Sequence, residues 1–344
     1  YTTINKSTDY FNTKLYTGNS STQALTGIGF QPDFVWTKPR VTGGHFLSDS
    51  IRGGTKIVQS ADTGAESTRS NHIQSFDSDG FTLGADGTSN NNGDATVAWN
   101  WKAGTTSGIN TTGADITPSS YSMNATSGIS IIKFTGNGVD GAKIAHGLGA
   151  VPELIISKRL ENSNYWAVYH KLDVTDYLVL NTDAAYSDAP LWKDTAPTSV
   201  YYQTDNSNSV NPSGETVVAY CFKSVKGYSK ISSYTGSGNV DGAFIYTGFK
   251  PAWVMVKRTD SSGLWQINDT KRDTYNRTSH TLFPHLSDAE SSTGWFVDYV
   301  SNGFKIRDTG GAVNTSGGTY IYMAFAEEPL VANSGTDGVP ATAR

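Results

Sequence analysis

Three short stretches of the chain share one pattern of apolar and polar positions. Each contains a proline, then a run of at least three apolar residues and, six positions after the proline, a lysine: GFQPDFVWTKPR from Gly29, GAVPELIISKRL from Gly149 and GFKPAWVMVKRT from Gly248. β-Branched and aromatic residues on consecutive positions are typical of a strand that is covered on both faces. Proline lacks an amide hydrogen and is tolerated at the first residue of a strand. The pattern therefore predicts three equivalent central strands.

Further landmarks recur in the same order around these stretches. An aromatic residue followed by Thr-Gly comes before the proline, another aromatic residue stands eight positions after the lysine, and an alanine followed by an aromatic residue lies in a closing strand-like segment. These landmarks are, in turn, Tyr16, Phe134 and Tyr234; Phe46, Trp166 and Trp265; and Ala98, Ala219 and Ala324. A fixed order of landmarks indicates internal repeats, each of which forms one structural unit.

The recurring lysines, Lys38, Lys158 and Lys257, follow the apolar run in each copy. We expect each lysine to mark the solvent end of its strand, with its charged head in water and its stem along apolar surface. A lysine that occurs in all three copies is interpreted as a structural part of the unit and not as a catalytic group.

Two segments are predicted to be β-hairpins. SFDSDGFTLG from Ser75 and YVSNGFKIRD from Tyr299 match each other, and Asp79-Gly80 and Asn302-Gly303 are expected to supply the positive φ of a two-residue turn. The middle copy lacks this hairpin. DSDG could also bind calcium, but it lacks the further ligands of a calcium loop, so we expect a hairpin turn.

Many short strand-like segments separated by Gly-rich turns predict an all-β fold. We expect three tandem antiparallel β-sandwich repeats of jelly-roll-like type. The expected boundaries are residues 1–104 for repeat 1, 105–128 for a Gly/Ser/Thr-rich linker, 129–227 for repeat 2, 228–328 for repeat 3 and 329–344 for a C-terminal arm. The linker is assigned from its composition, and the arm is expected to become ordered by docking onto a neighbour.

The overall composition argues against two classes of partner. A net charge of -5 provides no basic surface for phosphate groups, so we expect no nucleic-acid partner. No stretch approaches the roughly 18 uncharged apolar residues of a membrane helix, so we expect no membrane insertion. The single cysteine, Cys221, is interpreted as a small strand residue and not as a nucleophile.

No motif predicts catalysis, a metal or a cofactor. The six histidines occur in unlike contexts without the spacing of a zinc site. The glycines from Gly136 to Gly141 match a dinucleotide-binding pattern, but the residues after them cannot form the long helix that would hold a pyrophosphate. We therefore expect a protein that is not an enzyme and binds no cofactor.

Eight tryptophans and eighteen tyrosines raise the hypothesis of sugar binding, because aromatic faces stack on sugar rings. Most of these aromatic residues fall on repeat landmarks and are interpreted as core. Five others are the predicted glycan-contacting candidates: Trp192, Tyr201, Tyr202, Tyr275 and Trp295.

At this level of detail the sequence resembles a family of repeat-containing proteins of marine tailed bacteriophages, cyanophages among them. The resemblance rests on YTTINKSTDYFNTKLYTGN, GFQPDFVWTKPR, SDSIRGG, SFDSDGFTLG and VAWNWKAG in the first repeat, and on MAFAEEP and GVPATAR at the end. It extends over practically the whole chain, although the third copy has FAEEP in place of WNWKAG. The family implies a structural or appendage protein of the virion, and it provides no functional residues to carry over.

These inferences predict a tail fibre, spike or receptor-binding component that contacts host surface glycans. We expect it to bind other virion proteins, to form a homo-oligomer, and to be assembled in the host cytoplasm and exposed on the extracellular particle. One alternative is a capsid decoration protein, or cement protein, on the phage head. A second alternative is a glycan-cleaving enzyme of the tail, which would require paired carboxylates in one groove.

Overall fold

The structure, a computed structural model, describes residues 2–293 and 295–329. Within these ranges the chain forms strands in antiparallel sheets and one short 3₁₀ helix, Ser7–Asp9, and no α-helix occurs there. The prediction of an all-β fold built from antiparallel sheets is confirmed. Apart from Pro329, which ends the last strand, the predicted C-terminal arm lies outside the described residues.

Unit 1, the segment predicted as repeat 1, contains two sheets. Its strands are β1 Phe11–Thr17, β2 Gln23–Leu25, β3 Phe34–Pro39, β4 Phe46–Asp49, β5 Lys56–Gln59, β6 Ser67–Thr68, β7 Ile73–Asp77, β8 Gly80–Leu83 and β9 Ala95–Trp101. The main sheet has the order β1-β9-β3-β4-β5-β6, and the small sheet has the order β2-β8-β7. Apolar side chains from both sheets form one buried cluster, so the two sheets pack as a sandwich.

Unit 2 is the segment predicted as repeat 2. Its main sheet also includes a strand that lies before the predicted start of the repeat at residue 129. The strands are β10 Ser120–Asn124, β11 Ile129–Thr135, β12 Ala142–Ala145, β13 Leu154–Arg159, β14 Ala167–His170, β15 Asp173–Val179, β16 Ser187–Asp188, β17 Tyr201–Thr204 and β18 Thr216–Phe222. The main sheet has the order β10-β11-β18-β13-β14-β15-β16, and β12 pairs with β17. Residues 120–124, which composition assigns to a linker, are thus an edge strand of this sheet.

Unit 3, the segment predicted as repeat 3, repeats the arrangement of unit 1 with fewer strands. The strands are β19 Ser229–Thr235, β20 Phe244–Tyr246, β21 Phe249–Arg258, β22 Gln266–Asp269, β23 Val297–Val300, β24 Gly303–Ile306 and β25 Thr319–Pro329. The main sheet has the order β19-β25-β21-β22, and the small sheet has the order β20-β24-β23. β3 and β13 begin two residues after Pro32 and Pro152, whereas Pro251 lies within β21. These three strands hold equivalent central places, between β9 and β4, between β18 and β14, and between β25 and β22.

The three main sheets share one hydrophobic core. Apolar residues of all three units form a single buried cluster, whereas each unit also has a cluster of its own between its two sheets. Alternate residues of β3 show the division: Phe34 and Trp36 belong to the shared core, and Val35 belongs to the cluster of unit 1. The prediction that these strands are covered on both faces is confirmed, and the shared core is the physical reason.

The closing alanine of the third copy is not equivalent to the other two. The closing strands β9, β18 and β25 each pair with the first strand of their main sheet, and this pairing shows which residues are equivalent. Tyr322 of β25 occupies the place that Ala98 and Ala219 hold in the other two strands. Ala324 lies two residues further along. The alignment by an alanine before an aromatic residue was wrong here, because the register follows the buried faces of the strand and not that dipeptide.

The aromatic landmark after the lysine is also displaced in the first copy. Strand pairing places His45, and not Phe46, at the position of Trp166 and Trp265, because the connecting loop of unit 1 is one residue shorter. His45 remains a polar partner in the core, where its Nδ1 accepts a hydrogen bond from Trp36 Nε1 at 2.9 Å.

The recurring lysines are buried, so the prediction that they keep their heads in water was wrong. Each ammonium group donates to two backbone carbonyls. For Lys158 one acceptor is Thr63 O of unit 1, at 3.0 Å, and for Lys257 one acceptor is Asp183 O of unit 2, at 3.2 Å. Lys158 and Lys257 therefore join loops of adjacent units, whereas Lys38 donates to Pro39 O and Val41 O within unit 1. Burial lowers the pKa of all three lysines to about 8.

Both predicted hairpins are present, and the expected positive φ is found at Gly80 of the first hairpin but not in the turn of the second. Strands β7 and β8 pair through Asp77 and Gly80, and neither Asp79 nor Gly303 has a positive φ. A side chain at Gly80 would approach the carbonyl oxygen of Leu25 to 1.9 Å, and one at Gly303 would approach a carbonyl of β20 to 2.1 Å. Close approach of the neighbouring strand therefore requires glycine at both positions.

A buried ionic group joins units 1 and 2. Arg52 Nε lies 2.6 Å from Asp49 Oδ2, and Arg52 Nη1 lies 3.0 Å from Glu66 Oε2. Tyr220 of unit 2 donates its hydroxyl to the same Asp49 oxygen at 2.8 Å. The carboxylate is thus satisfied by donors from both units, as a buried charge requires.

The other two interfaces vary this arrangement in a consistent way. Between units 3 and 1, Asp269 pairs with Arg272 and accepts a hydrogen bond from Trp99 Nε1 at 3.0 Å. Between units 2 and 3, His170 takes the place of the aspartate, and Met323, which has no donor, takes the place of the tyrosine. His170 and Met323 line the same small cavity. An aromatic donor is present where the neighbouring unit provides an aspartate and is absent where it does not.

We predict that Tyr220→Phe lowers the free energy of unfolding by about 1–3 kcal/mol, because Asp49 loses a buried donor. Tyr202→Phe in the same unit is the matched control, since the Tyr202 hydroxyl is buried without a hydrogen-bond partner. Its removal should be neutral or stabilising in the same chemical denaturation experiment. Equal losses in the two variants would contradict the role given to the Asp49 contact.

Burial also changes the acid response of the protein. Five histidines of the described chain are buried: His45, His72, His146, His170 and His285. Desolvation lowers the pKa of His72, His146 and His285 to about 4, lowers that of His170 to about 3, and holds that of His45 well below its usual value.

We predict that stability falls as the pH falls from about 6.5 towards 4. The unfolded chain, with ordinary histidine pKa values near 6.5, binds more protons in this window, so acid favours unfolding. The midpoint of thermal unfolding should decrease between about pH 7 and about pH 5, where most carboxylates do not yet titrate. His285→Phe should reduce this slope, because it removes one of the buried groups that titrate. The substitution should be tolerated, since neither ring nitrogen of His285 has a hydrogen-bond partner to lose. A constant midpoint over this range would disprove the prediction.

Candidate functional site

A groove of about 420 Å³ opens between unit 1 and the segment that connects it to unit 2. One wall comes from residues just before β3 and just after β4, and the other from residues 104–106 and from residue 119 with the start of β10. The lining residues are Gln31, Asp33, Ser50, Ile51, Gly104, Thr106, Ser119, Ser120 and Tyr121. We call this feature the groove.

Asp33 holds the two walls together. Its Oδ1 accepts hydrogen bonds from Ser50 Oγ at 2.8 Å and from Ser122 Oγ at 2.9 Å, and its Oδ2 accepts one from the backbone N–H of Ala103 at 2.8 Å. The side chain is placed there because Asp33 directly precedes β3, a central strand of unit 1. With only 5% of its surface exposed and three donors bound, the carboxylate positions the connecting segment and is not free for acid–base chemistry.

The surface offered to a ligand is uncharged and mixed in character. Thr106 and Ser119 contribute hydroxyl groups and Gln31 contributes an amide, all on exposed residues. Tyr121 and Ile51 are half-buried and provide an aromatic ring and an aliphatic surface. Apolar area with a few fixed polar groups is typical of a small-molecule site, and an aromatic ring beside hydroxyl and amide groups suits a sugar.

A second recess of about 430 Å³ lies within unit 1 and has no aromatic lining. Arg69 and Asp86 face each other across it, with 3.8 Å between Arg69 Nη1 and Asp86 Oδ2. The recess is shallow, and its other lining residues are small or polar. It therefore lacks the stacking surface that the groove has.

Three of the five predicted glycan-contacting residues are buried and cannot present a face to a ligand. Trp192 and Tyr202 pack against each other in the core of unit 2, with ring centroids 5.9 Å apart, and Trp295 is in the core of unit 3. Each fills its unit between the two sheets, where a large apolar ring is needed. The expectation that they lie at the surface was wrong.

The other two predicted residues are accessible but do not meet. Tyr201 is half-buried on β17, with Lys143 Nζ 5.5 Å from its ring centroid. Tyr275 of unit 3 is 81% exposed. Neither residue lines the groove.

Sequence reasoning missed the groove, since its outer wall lies in the segment assigned to a linker. Tyr121 stands in the run PSSYS, whose composition is typical of a flexible connection. The only signal that could have pointed to it was the aspartate after Pro32, because the other two copies have Glu153 and Ala252 at that position.

A second recurring motif was also missed, and it is structural. Asn90, Asn211 and Asn314 are buried, and each caps the loop that precedes the small sheet of its unit. Each asparagine is followed three residues later by a glycine with positive φ. The spacing Asn-x-x-Gly recurs in all three units and could have identified the capping asparagines from sequence alone.

The described residues contain no group of three or more histidine, cysteine, aspartate or glutamate side chains that could hold a metal ion. Cys221 is buried, and desolvation raises the pKa of its thiol far above the usual value. Among the helices of residues 2–293 and 295–329, none is long and apolar enough to cross a membrane.

Fold and groove together define an all-β protein of packed antiparallel sheets with a neutral, partly aromatic surface site. The chain belongs to the family described as a domain of unknown function, DUF7483, whose sequence profile matches residues 6–329. Comparison with the curated proteins and with the solved structures finds no match.

We predict that Asp33→Ala releases the wall of the groove. The substitution leaves Ser122 Oγ and the N–H of Ala103 without their acceptor, which should cost about 1–3 kcal/mol and open the connecting segment. A broad-specificity protease should then cut between residues 104 and 119 faster than in the unaltered protein. Asp62→Ala, at an exposed carboxylate, is the control and should leave the cleavage rate unchanged. Equal rates in all three proteins would contradict the assigned role of Asp33.

Proposed function

We propose that the protein is a structural, non-catalytic component of a bacteriophage virion, such as a tail fibre or spike, that contacts host surface glycans through the groove. In this proposal it assembles with other virion proteins and as a homo-oligomer. The resemblance of its repeat motifs to proteins of tailed phages supports the virion assignment. The groove supports the glycan assignment and is the observation that carries it.

The chemistry of the groove favours a neutral polyhydroxylated ligand. Hydroxyl and amide groups of Thr106, Ser119 and Gln31 can exchange hydrogen bonds with sugar hydroxyls, and the ring of Tyr121 can stack on the apolar face of a pyranose. The volume of about 420 Å³ is within the range of sites that enclose small organic ligands. A strongly anionic glycan is disfavoured, because none of the described residues that line the groove is cationic.

The same groove favours binding over glycan cleavage. Glycosidases generally use two carboxyl groups on either side of the scissile bond. Asp33 is the one carboxylate that lines the groove, and its oxygens are bound to three donors. A catalytic pair would therefore need a second carboxylate that the lining does not contain.

We predict that the purified protein binds neutral glycans on an array of host surface polysaccharides. Tyr121→Ala should weaken binding about tenfold or more by removing the stacking ring, and Thr106→Trp should block the groove to a similar extent. Tyr275→Ala is the matched control, because Tyr275 is highly exposed and outside the groove. Binding that is lost with Tyr275→Ala and retained with Tyr121→Ala would refute the assignment to the groove.

Imaging of labelled protein in phage particles tests the virion assignment separately. Signal at the tail supports a fibre or spike, and signal distributed over the head supports the decoration protein instead. Absence from purified particles would reject both.

A further inference from the structure

An extended segment of the chain covers the free edge of the small sheet in unit 2. The N–H groups of Asp115 and Ile116 donate to Lys143 O at 2.8 and 2.9 Å, and the N–H of Ala145 donates to Ile116 O at 3.1 Å. The carboxylate of Asp115 accepts the N–H of Lys143 at 2.9 Å. This segment runs parallel to β12, and the Ile116 side chain is buried in the same cluster as Ile144.

The equivalent edge in unit 3 is formed by β20. The sequences VDGAKIA from Val139 and VDGAFIY from Val240 align, so Phe244 and Tyr246 take the places of Lys143 and Ala145. Along β20, the backbone N–H and C=O groups of successive residues point alternately towards β24 and away from it. The groups of Phe244 and Tyr246 point away from β24, to the free side of the strand.

The hydrogen bonds on either side of β20 fix this alternation. Ile306 N donates to Ala243 O at 3.1 Å, and Thr247 N donates to Asn302 O at 3.0 Å, so positions 243, 245 and 247 face β24. No other described segment hydrogen-bonds to the outward backbone groups of Phe244 and Tyr246.

This edge is also the place where unit 3 exposes large apolar side chains. Phe244 is 48% exposed, Tyr246 60% and Val240 62%. A strand edge with unpaired backbone groups and exposed aromatic rings is a template for another strand, and proteins usually protect such edges. In unit 1 the corresponding strand carries Ala24, and Lys14 Nζ covers the next carbonyl, Thr26 O, at 2.7 Å.

We propose that the edge of β20 binds an extended segment of a partner protein, in parallel orientation, in which an acidic residue immediately precedes an aliphatic residue. The acidic side chain accepts the N–H of Phe244, as Asp115 accepts that of Lys143. The two partner N–H groups donate to Phe244 O, and the carbonyl of the aliphatic residue accepts the N–H of Tyr246. The aliphatic side chain packs beside Ile245, as Ile116 does beside Ile144. Such strand addition obtains affinity from backbone hydrogen bonds and specificity from alternate side chains.

The internal segment of unit 2 supplies the probe for a direct test. A fluorescent peptide with the sequence of residues 111–119, TTGADITPS, is titrated with the full chain, and binding is followed by fluorescence anisotropy. We expect saturable binding. Peptides in which lysine replaces the aspartate, or serine replaces the isoleucine, should bind about tenfold more weakly or less.

Variants of the full chain locate the binding to β20. Phe244→Pro removes the outward N–H without disturbing the pairing with β24, and proline is tolerated on such an edge, so affinity should fall about tenfold or more while the unfolding midpoint stays close to that of the unaltered protein. Ala24→Pro is the matched control at the equivalent position of β2 and should leave the affinity unchanged. If Phe244→Pro fails to fold, Phe244→Asp replaces it, because its charge repels the acidic residue of the peptide.

Three outcomes would overturn the proposal. They are no saturable binding of the peptide, binding that is insensitive to both Phe244 variants, and binding that is equally sensitive to Ala24→Pro. Sedimentation that shows a concentration-dependent dimer, abolished by Phe244→Pro, would also overturn it, because the occupant of the edge would then be a second copy of this chain. Loss of glycan binding by the groove would not affect any of these results.

Discussion

The structure depends above all on the shared core, because this core leaves each main sheet covered on both faces. A strand in that position has no side in water, so a charged group on it must find partners inside the protein. The lysines of the central strands meet this requirement with backbone carbonyls of their own and adjacent units, and Asp49 and Asp269 meet it with an arginine and an aromatic donor. Apolar burial holds the units together, and these few polar contacts join particular pairs of units.

The features suited to binding lie where the units differ from one another. The connection between units 1 and 2 is long enough to form a wall of the groove, to add β10 to one sheet and to cover the edge of β12. Units 2 and 3 are joined directly, and no described segment covers the edge of β20. The central strands, which recur in every unit, serve packing, because each copy has to satisfy the same shared core. The connection that occurs once and the outer edge of β20 are free of that requirement.

The candidate site was the least predictable part of the protein. Trp192 and Trp295 were expected at the surface because they fall outside the repeat landmarks, yet both are buried within their own units. Tyr121 was not singled out, since Ser- and Thr-rich neighbours hid its position beside Asp33. Composition describes how well a segment is solvated on average, whereas a groove depends on which distant segment lies opposite.

The sequence by itself determined the all-β class, the hairpins and the central strands, because consecutive β-branched and aromatic residues favour extended backbone and glycines permit tight turns and close approach of strands. Only the tertiary structure decided that the main sheets share a core, that Lys38, Lys158 and Lys257 are buried, and that His45 and Tyr322 replace the expected landmarks. The physical reason is that burial and register are properties of paired surfaces. A residue's own neighbours along the chain do not specify which surface it will meet.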